Sequence, residues 1–259
     1  MKFIFTLTLL TALVFSANSQ SSWRITGNYS FGVPLDDMSK NIQPINSLQG
    51  GIMYQLPKLK QLSFGFEMGV GSYANKRIDQ TFQLDNTTAS VVPVNYSSNT
   101  FDLNLQTRWN LLSDKNFIVP YISLKGGVYN FFSTIYVDDP TNNGGCHALE
   151  QKTLINDKTM YWSAGTGLQI NPAAFAKSKK KGNVLIDLSA NTIHGGTLDY
   201  INTKHLIDAQ TAVDPAGKPL QVKFINASTQ QIHEHTVAQV YTSPLRLVEF
   251  RAGVVLLLN

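Results

Sequence analysis

The chain has 259 residues, 21 of them basic and 17 acidic, for a formal net charge of +4 at pH 7. That mild and scattered charge gives nucleic-acid binding no support, and the length suits one domain. A single cysteine, Cys146, excludes an internal disulfide framework and sits in a polar stretch with no assigned role.

Residues 1–19 read as a secretory signal peptide ahead of one barrel domain at 20–259. Lys2 supplies the positive start, residues 3–15 the apolar core, and Ala17-Asn18-Ser19 the small residues before a cut. The apolar run is shorter than the roughly 20 residues a bilayer-spanning helix needs.

From Trp23 the chain alternates. Trp23, Ile25, Tyr29, Phe31 and Val33 share one face of an extended strand, with Arg24, Thr26, Asn28 and Ser30 on the other. After a connection at 34–47, a weaker strand at 48–56 and a tight turn at 57–61 lead to a strand at 62–71. There Leu62, Phe64, Phe66, Met68 and Val70 oppose Ser63, Gly65, Glu67, Gly69 and Gly71. A long polar connection at 72–99 precedes the clearest strand of all, residues 101–111. Its apolar face is Phe101, Leu103, Leu105, Trp109 and Leu111, and its polar face Asp102, Asn104, Gln106, Arg108 and Asn110. Further strands are expected within 118–135, where Phe131-Phe132 breaks the alternation, and at 160–170, 184–191 and 245–258, with connections at 113–117, 138–156, 171–183 and 194–243.

Eight strands with alternately long and short connections predict an all-β fold: an eight-stranded antiparallel transmembrane β-barrel with short periplasmic turns and long extracellular loops. Residues 220–241 carry a hairpin pattern. It is read as projecting from the surface, with a ten-stranded barrel as the alternative.

The apolar faces are almost free of charge, while the polar faces are rich in glycine, which fits a barrel with lipid outside and a packed polar interior. This register points Arg24, Glu67, Asp102, Arg108, Lys125, Asp187, Glu249 and Arg251 inward, with Asp102 near the outer rim. Four charges of each sign must then pair, because an isolated buried charge is costly. Trp23, Tyr54, Phe101, Trp109 and Trp162 form the expected aromatic belt.

With these features the chain resembles the small outer-membrane β-barrel proteins, in particular the β-barrel domain family of Bacteroidota. The likeness rests on the exported N-terminus, on Pro120-Tyr121-Ile122-Ser123-Leu124-Lys125-Gly126-Gly127-Val128-Tyr129, on Gly165-Thr166-Gly167-Leu168 and on the last alternating strand. It implies the fold and a Gram-negative outer-membrane address with both termini periplasmic, and it says nothing of activity. Such barrels usually end on an aromatic residue, whereas this sequence ends Leu256-Leu257-Leu258-Asn259.

His233-Glu234-His235 is the strongest metal candidate, since His233 and His235 share a strand face, but two imidazoles do not complete a site. Asp36-Asp37 and Asp138-Asp139 fall on neighbouring outer connections without a matching histidine motif. No nucleophile elbow, phosphate loop or paired-cysteine motif occurs. The expectation is a non-enzymatic structural or cell-surface interaction protein without a cofactor, its lumen filled by a polar charge network. The alternative is passage of small solutes or apolar compounds, ahead of a surface hydrolase. Its expected partners are outer-membrane lipid, the barrel-insertion machinery during assembly, and an extracellular ligand or protein at 72–99 and 194–243.

Overall fold

The computed structural model describes residues 23–83, 89–113, 116–138, 148–174, 183–204, 216–225 and 232–258. Residues 1–22, which include the stretch read as a signal peptide, and Cys146 lie outside them. The elements are β1 (Trp23–Pro34), α1 (Asp36–Asn41), β2 (Ile45–Gln55), β3 (Leu62–Gln83), β4 (Ala89–Asn110), β5 (Ile118–Asp138), β6 (Ala148–Ile170), β7 (Val184–Ile201), β8 (Lys218–Ile225) and β9 (Ile232–Leu258). Each strand from β1 to β7 pairs antiparallel with the next, β9 pairs with β7, and β1 pairs with β9 to close the ring. Closure sets Trp23 opposite Leu258 and Pro34 opposite Leu247. Eight strands make a closed antiparallel barrel of the outer-membrane type. β8 stands outside that ring, paired with the far part of β9.

Period-two alternation decides which side chains go where. On β4, Leu105 is 69% exposed and Trp109 53%, while Arg108 between them on the other face is 3% exposed. Phe64, Phe66, Met68 and Val70 on β3, Ile122 and Leu124 on β5, and Ile186 and Leu188 on β7 are exposed in the same way. An apolar band this wide is stable only when something apolar covers it. The polar residues fill the inside.

The connections expected at 72–99, 138–156 and 194–243 are corrected by the structure, because most of their described residues are strand. β3 continues to Gln83, β4 starts at Ala89, β6 starts at Ala148, and β9 runs unbroken from Ile232 to Leu258. The expected connection at 34–47 is likewise mostly helix and strand. The reason is visible on β4. Toward the terminal end its outer face reads Trp109, Leu105, Phe101 and its inner face Arg108, Gln106, Asn104, Asp102. Toward the far end the outer face becomes Asn99, Ser97, Asn95 and the inner face Ser98, Tyr96, Val94, all three buried. Beyond about residue 100 the strand has the pattern of a water-soluble barrel, polar outside and apolar inside. A tilted strand crosses a bilayer in about 9–11 residues, so the 22 residues of β4 reach well past it. A scan for apolar outer faces does not register such a continuation.

β5 shows why Phe131-Phe132 broke the expected alternation. Its register against β4 is continuous, with Tyr129 opposite Asp102, Phe131 opposite Thr100 and Ile135 opposite Tyr96. Tyr129, Phe131, Ser133 and Ile135 all point inward and are buried. Phe131 belongs to the inner face, which turns apolar before the outer face turns polar.

Two apolar clusters occupy the far half. One joins Tyr73, Tyr129, Phe131, Tyr161, Leu198, Tyr200 and Leu245 to Met38 and Ile42 at α1. The second, further out, gathers Val94, Tyr96, Ile135, Ile155, Ile201 and Val237. α1 is reached through Asp36, whose φ of 50° turns the chain sharply off β1. The Asp36 carboxylate then pairs with Arg246 at 2.8 Å.

Candidate functional site

All eight charged residues named from the sequence lie buried in the barrel. They form layers from the terminal end upward. In the lowest, the Arg108 Nη2 donates to Asp187 Oδ2 at 3.0 Å, and the Tyr121 hydroxyl donates to Asp187 Oδ1 at 2.8 Å. The Arg108 guanidinium also lies 4.1 Å from the centroid of the Tyr121 ring, a cation–π contact in a dry setting. β4, β5 and β7 are thereby tied together across the lumen. Arg24 is buried at the same end, on β1.

The middle layer centres on Glu67, 1% exposed. Lys125 Nζ lies 3.0 Å from its Oε1, and Arg251 Nη2 2.5 Å from its Oε2. Glu249 is the second acid, 3.9 Å from Lys125 and 3.8 Å from Arg251. It also accepts hydrogen bonds from Ser30 Oγ at 2.8 Å and Gln49 Nε2 at 2.7 Å. Two acids share two bases, and neutral donors fill further lone pairs, as buried charges require. Side chains of β1, β2, β3, β5 and β9 meet in this layer.

Asp102 sits above it and corrects one detail of the sequence reading. It is buried beneath the aromatic cluster instead of lying near a wet rim. Its Oδ2 accepts from Asn104 Nδ2 at 2.9 Å and from the Tyr161 hydroxyl at 3.5 Å. Over it, Tyr129 and Tyr161 meet edge to face at 5.7 Å, Tyr129 and Phe131 lie 5.4 Å apart, and Tyr73 and Phe131 5.3 Å. Met38 and Ile42 complete the cap. The lumen thus holds a charge network below and an aromatic plug above.

Inward glycines make room for these long side chains. A Cβ at Gly167 would run into the Tyr121 ring, and one at Gly69 into the Asp102 carboxylate. At both positions the close approach requires glycine.

The five aromatics named from the sequence occupy the outer face at two levels. Trp23 and Tyr54 pair at 5.0 Å at the terminal end, where Trp109 stands opposite Leu62 and Ile122. Phe101, opposite Val70, and Trp162 lie further up. Trp162 stacks on His194 at 4.8 Å. Sequence reasoning gave no role to Tyr121, Tyr129, Tyr161, Ser30 or Gln49. The alternation put Tyr129 and Tyr161 on the polar face, yet nothing local shows which residue each will meet across the lumen.

Among the described residues, no group of three or more His, Cys, Asp or Glu side chains gathers to hold a metal. The strand register sets His233 opposite Phe224 and His235 opposite Val222, and their side chains lie outside the described ones. Asp36 and Asp37 are engaged by Arg246 and Lys40, each at 2.8 Å. The hydrogen bond and charge of Lys40 hold the Asp37 carboxyl below its ordinary pKa, and Asp37 raises Lys40 in return. Asp139 lies outside the described residues, as does the side chain of Asp138.

No family model matches the chain, and no curated protein matches it. Several solved structures are similar in fold. Neisserial surface protein A aligns with 93% of this chain and 100% of its own at 11% identity and a TM-score of 0.43. Ail, the attachment invasion locus protein of Yersinia pestis, aligns over 92% and 99% at 11% identity and 0.36. The outer membrane protease OmpT of Escherichia coli aligns over 91% and 96% at 8% identity and 0.32. These are likenesses of barrel architecture alone.

Proposed function

We propose that the chain is an outer-membrane protein of a Gram-negative bacterium. In this reading it is a sealed barrel that carries a projecting upper barrel at the cell surface and uses it for interaction, with both termini periplasmic. The observation that supports this best is the exchange of faces along β4, apolar outside from Trp109 to Phe101 and polar outside from Asn99 onward. One strand with two solvents needs a membrane at one end and water at the other. The projecting end is the far one, opposite the termini. Short turns at 56–61 and 111–117 belong to the terminal end, as periplasmic turns do.

The filled lumen favours a structural and interaction role over passage of solutes. Engagement of Asp36 and Asp37 by basic partners leaves that acidic pair unsuited to hydrolysis, and the reading is non-enzymatic. Lipid against the apolar band and the barrel-insertion machinery are the partners it requires. Kinship with the Bacteroidota barrel family is part of the proposal, supported by the motifs around Tyr121 and Gly167.

Cysteine labelling on intact cells tests the orientation. In a Cys146→Ser background, Asn75→Cys on the projecting part of β3 should react with an impermeant maleimide. Lys58→Cys in the short turn should react only after the outer membrane is opened. The reverse pattern would invert the topology, and recovery of the chain as a soluble periplasmic protein would remove the membrane reading altogether.

A further inference from the structure

Two outward glycines, Gly27 and Gly50, have no part in the packing of the lumen. They stand side by side on the outer face, in a row that runs Val254, Gly27, Gly50 and Met68 across β9, β1, β2 and β3. The next row toward the far end runs Ala252, Tyr29, Leu48, Val70 and Phe101. A groove of about 700 Å³ lies between the rows, lined by these residues and their strand neighbours. A Cβ at Gly27 would meet nothing within 4 Å, and one at Gly50 only the Thr26 carbonyl oxygen at 3.8 Å. Unlike Gly69 and Gly167, neither makes room for a side chain of its own barrel. Glycine weakens a strand interior, and it often marks a place where another molecule comes close.

The groove is lined by no charged residue, and it has a polar rim at one end. There the Tyr29 hydroxyl donates to Asn46 Oδ1 at 2.5 Å, at an exposed site. Asn46 belongs to the row Phe31, Asn46, Ser72 and Asn99, in which the outer face of β4 turns polar. Tyr29 therefore leans toward the polar side and leaves Gly27 exposed below it. A cleft that is apolar along its length and polar at its rim matches the two parts of a lipid. The hydrocarbon chain takes the length, and the carbonyl that joins the chain to its headgroup takes the rim.

We propose that this groove holds one acyl chain of a glycolipid from the surface leaflet, with the linking carbonyl of that chain at Tyr29 and Asn46. The rim lies on the projecting side, so the lipid comes from the leaflet that faces outward, and in a Gram-negative outer membrane that leaflet is built of acylated glycolipid. A neutral hydroxyl and a neutral amide suit a carbonyl better than a phosphate. The groove is one side chain deep, and an α-helix about 10–12 Å across would stand mostly outside it. A second barrel would reach its floor with only a side chain or two, whereas a single hydrocarbon chain can lie along it and bury its length. The inference rests on the outer-membrane reading above and names the lipid partner that this wall of the barrel selects.

The test is native mass spectrometry of the purified full-length barrel, released from detergent after incubation with lipid A. One lipid A should stay bound. Gly27→Leu fills the groove without touching the rest of the chain and should weaken retention by about tenfold or more. Gly126→Leu is the matched control. Gly126 is also exposed, but on β5 away from the groove, with no atom nearer its Cβ than the Tyr161 carbonyl oxygen at 3.9 Å. That variant should retain lipid A as the wild type does. Equal retention by the wild type and Gly27→Leu would overturn the proposal, as would equal loss in both variants. Phosphatidylethanolamine retained as strongly as lipid A would overturn the choice of glycolipid. A dimer that Gly27→Leu abolishes would overturn it too, since the groove would then belong to a second copy. A wild-type barrel that inserts into liposomes yet retains no lipid A removes the groove alone, whereas a chain that does not insert removes the membrane reading.

Discussion

Arg108 is the residue whose removal should be felt most. Its substitution by leucine leaves Asp187 buried with only the Tyr121 hydroxyl, and breaking one side of a buried pair costs about 3–5 kcal/mol. Urea unfolding of the purified protein in detergent should show a loss of that size, with no gain of conductance. Asp102→Asn is the contrast. Asp102 is hydrogen-bonded by Asn104 and Tyr161, and the asparagine oxygen can still accept, so the loss should stay within about 0.5–1.5 kcal/mol. If both variants cost the same, the layered description of the lumen is wrong. Gly167→Val tests the packing around the same pair. It drives a side chain into the Tyr121 ring and should cost about 1–3 kcal/mol by overpacking, measured by the same unfolding. That the charges face inward was legible, because a period of two assigns a face to each residue. The partnerships were not. Lys125 and Glu67 stand 58 positions apart and Arg251 and Glu67 184, and only closure of the ring brings them together.

At the level of the strand, β4 carries the exchange of faces in its own sequence, which the proposed reading makes the membrane boundary. Leu105→Arg puts a charge on the lipid face near mid-membrane and should destabilise the barrel in liposomes by about 2–4 kcal/mol. Ser97→Arg, eight positions along and on the same face, should cost about 0–1 kcal/mol because it lies at or beyond the interface. Equal costs would mean that lipid does not end where the faces exchange. The eight barrel strands were legible where one face is apolar and the other polar. The projecting strands escaped because their outer faces hold Asn95, Ser97 and Asn99, and their inner apolar residues, such as Val94 and Ile135, look isolated in a polar stretch. Their common core exists only once β3 to β9 are assembled. β8 was half seen, as a hairpin, while the unbroken run of β9 from that hairpin into the barrel was not. The end of the connection expected at 194–243 pairs across to β7 instead, with Leu198 opposite Ser243 and Thr197 opposite Pro244 beside a bulge.

As a whole, the molecule is a barrel with an apolar outer face over one length and a polar one over the rest, its lumen closed by ion pairs below and by aromatic rings above. Eight strands enclose a space that side chains can fill, and here Arg108, Glu67, Lys125, Glu249, Arg251, Tyr129, Tyr161 and Phe131 fill it. The most direct measurement of this claim is single-channel recording from planar bilayers fused with proteoliposomes, after protease protection has shown the barrel inserted. The account predicts no conductance steps from the inserted wild-type protein across the usual range of voltages. Stable, reproducible steps from that protein would show an open lumen and contradict the account.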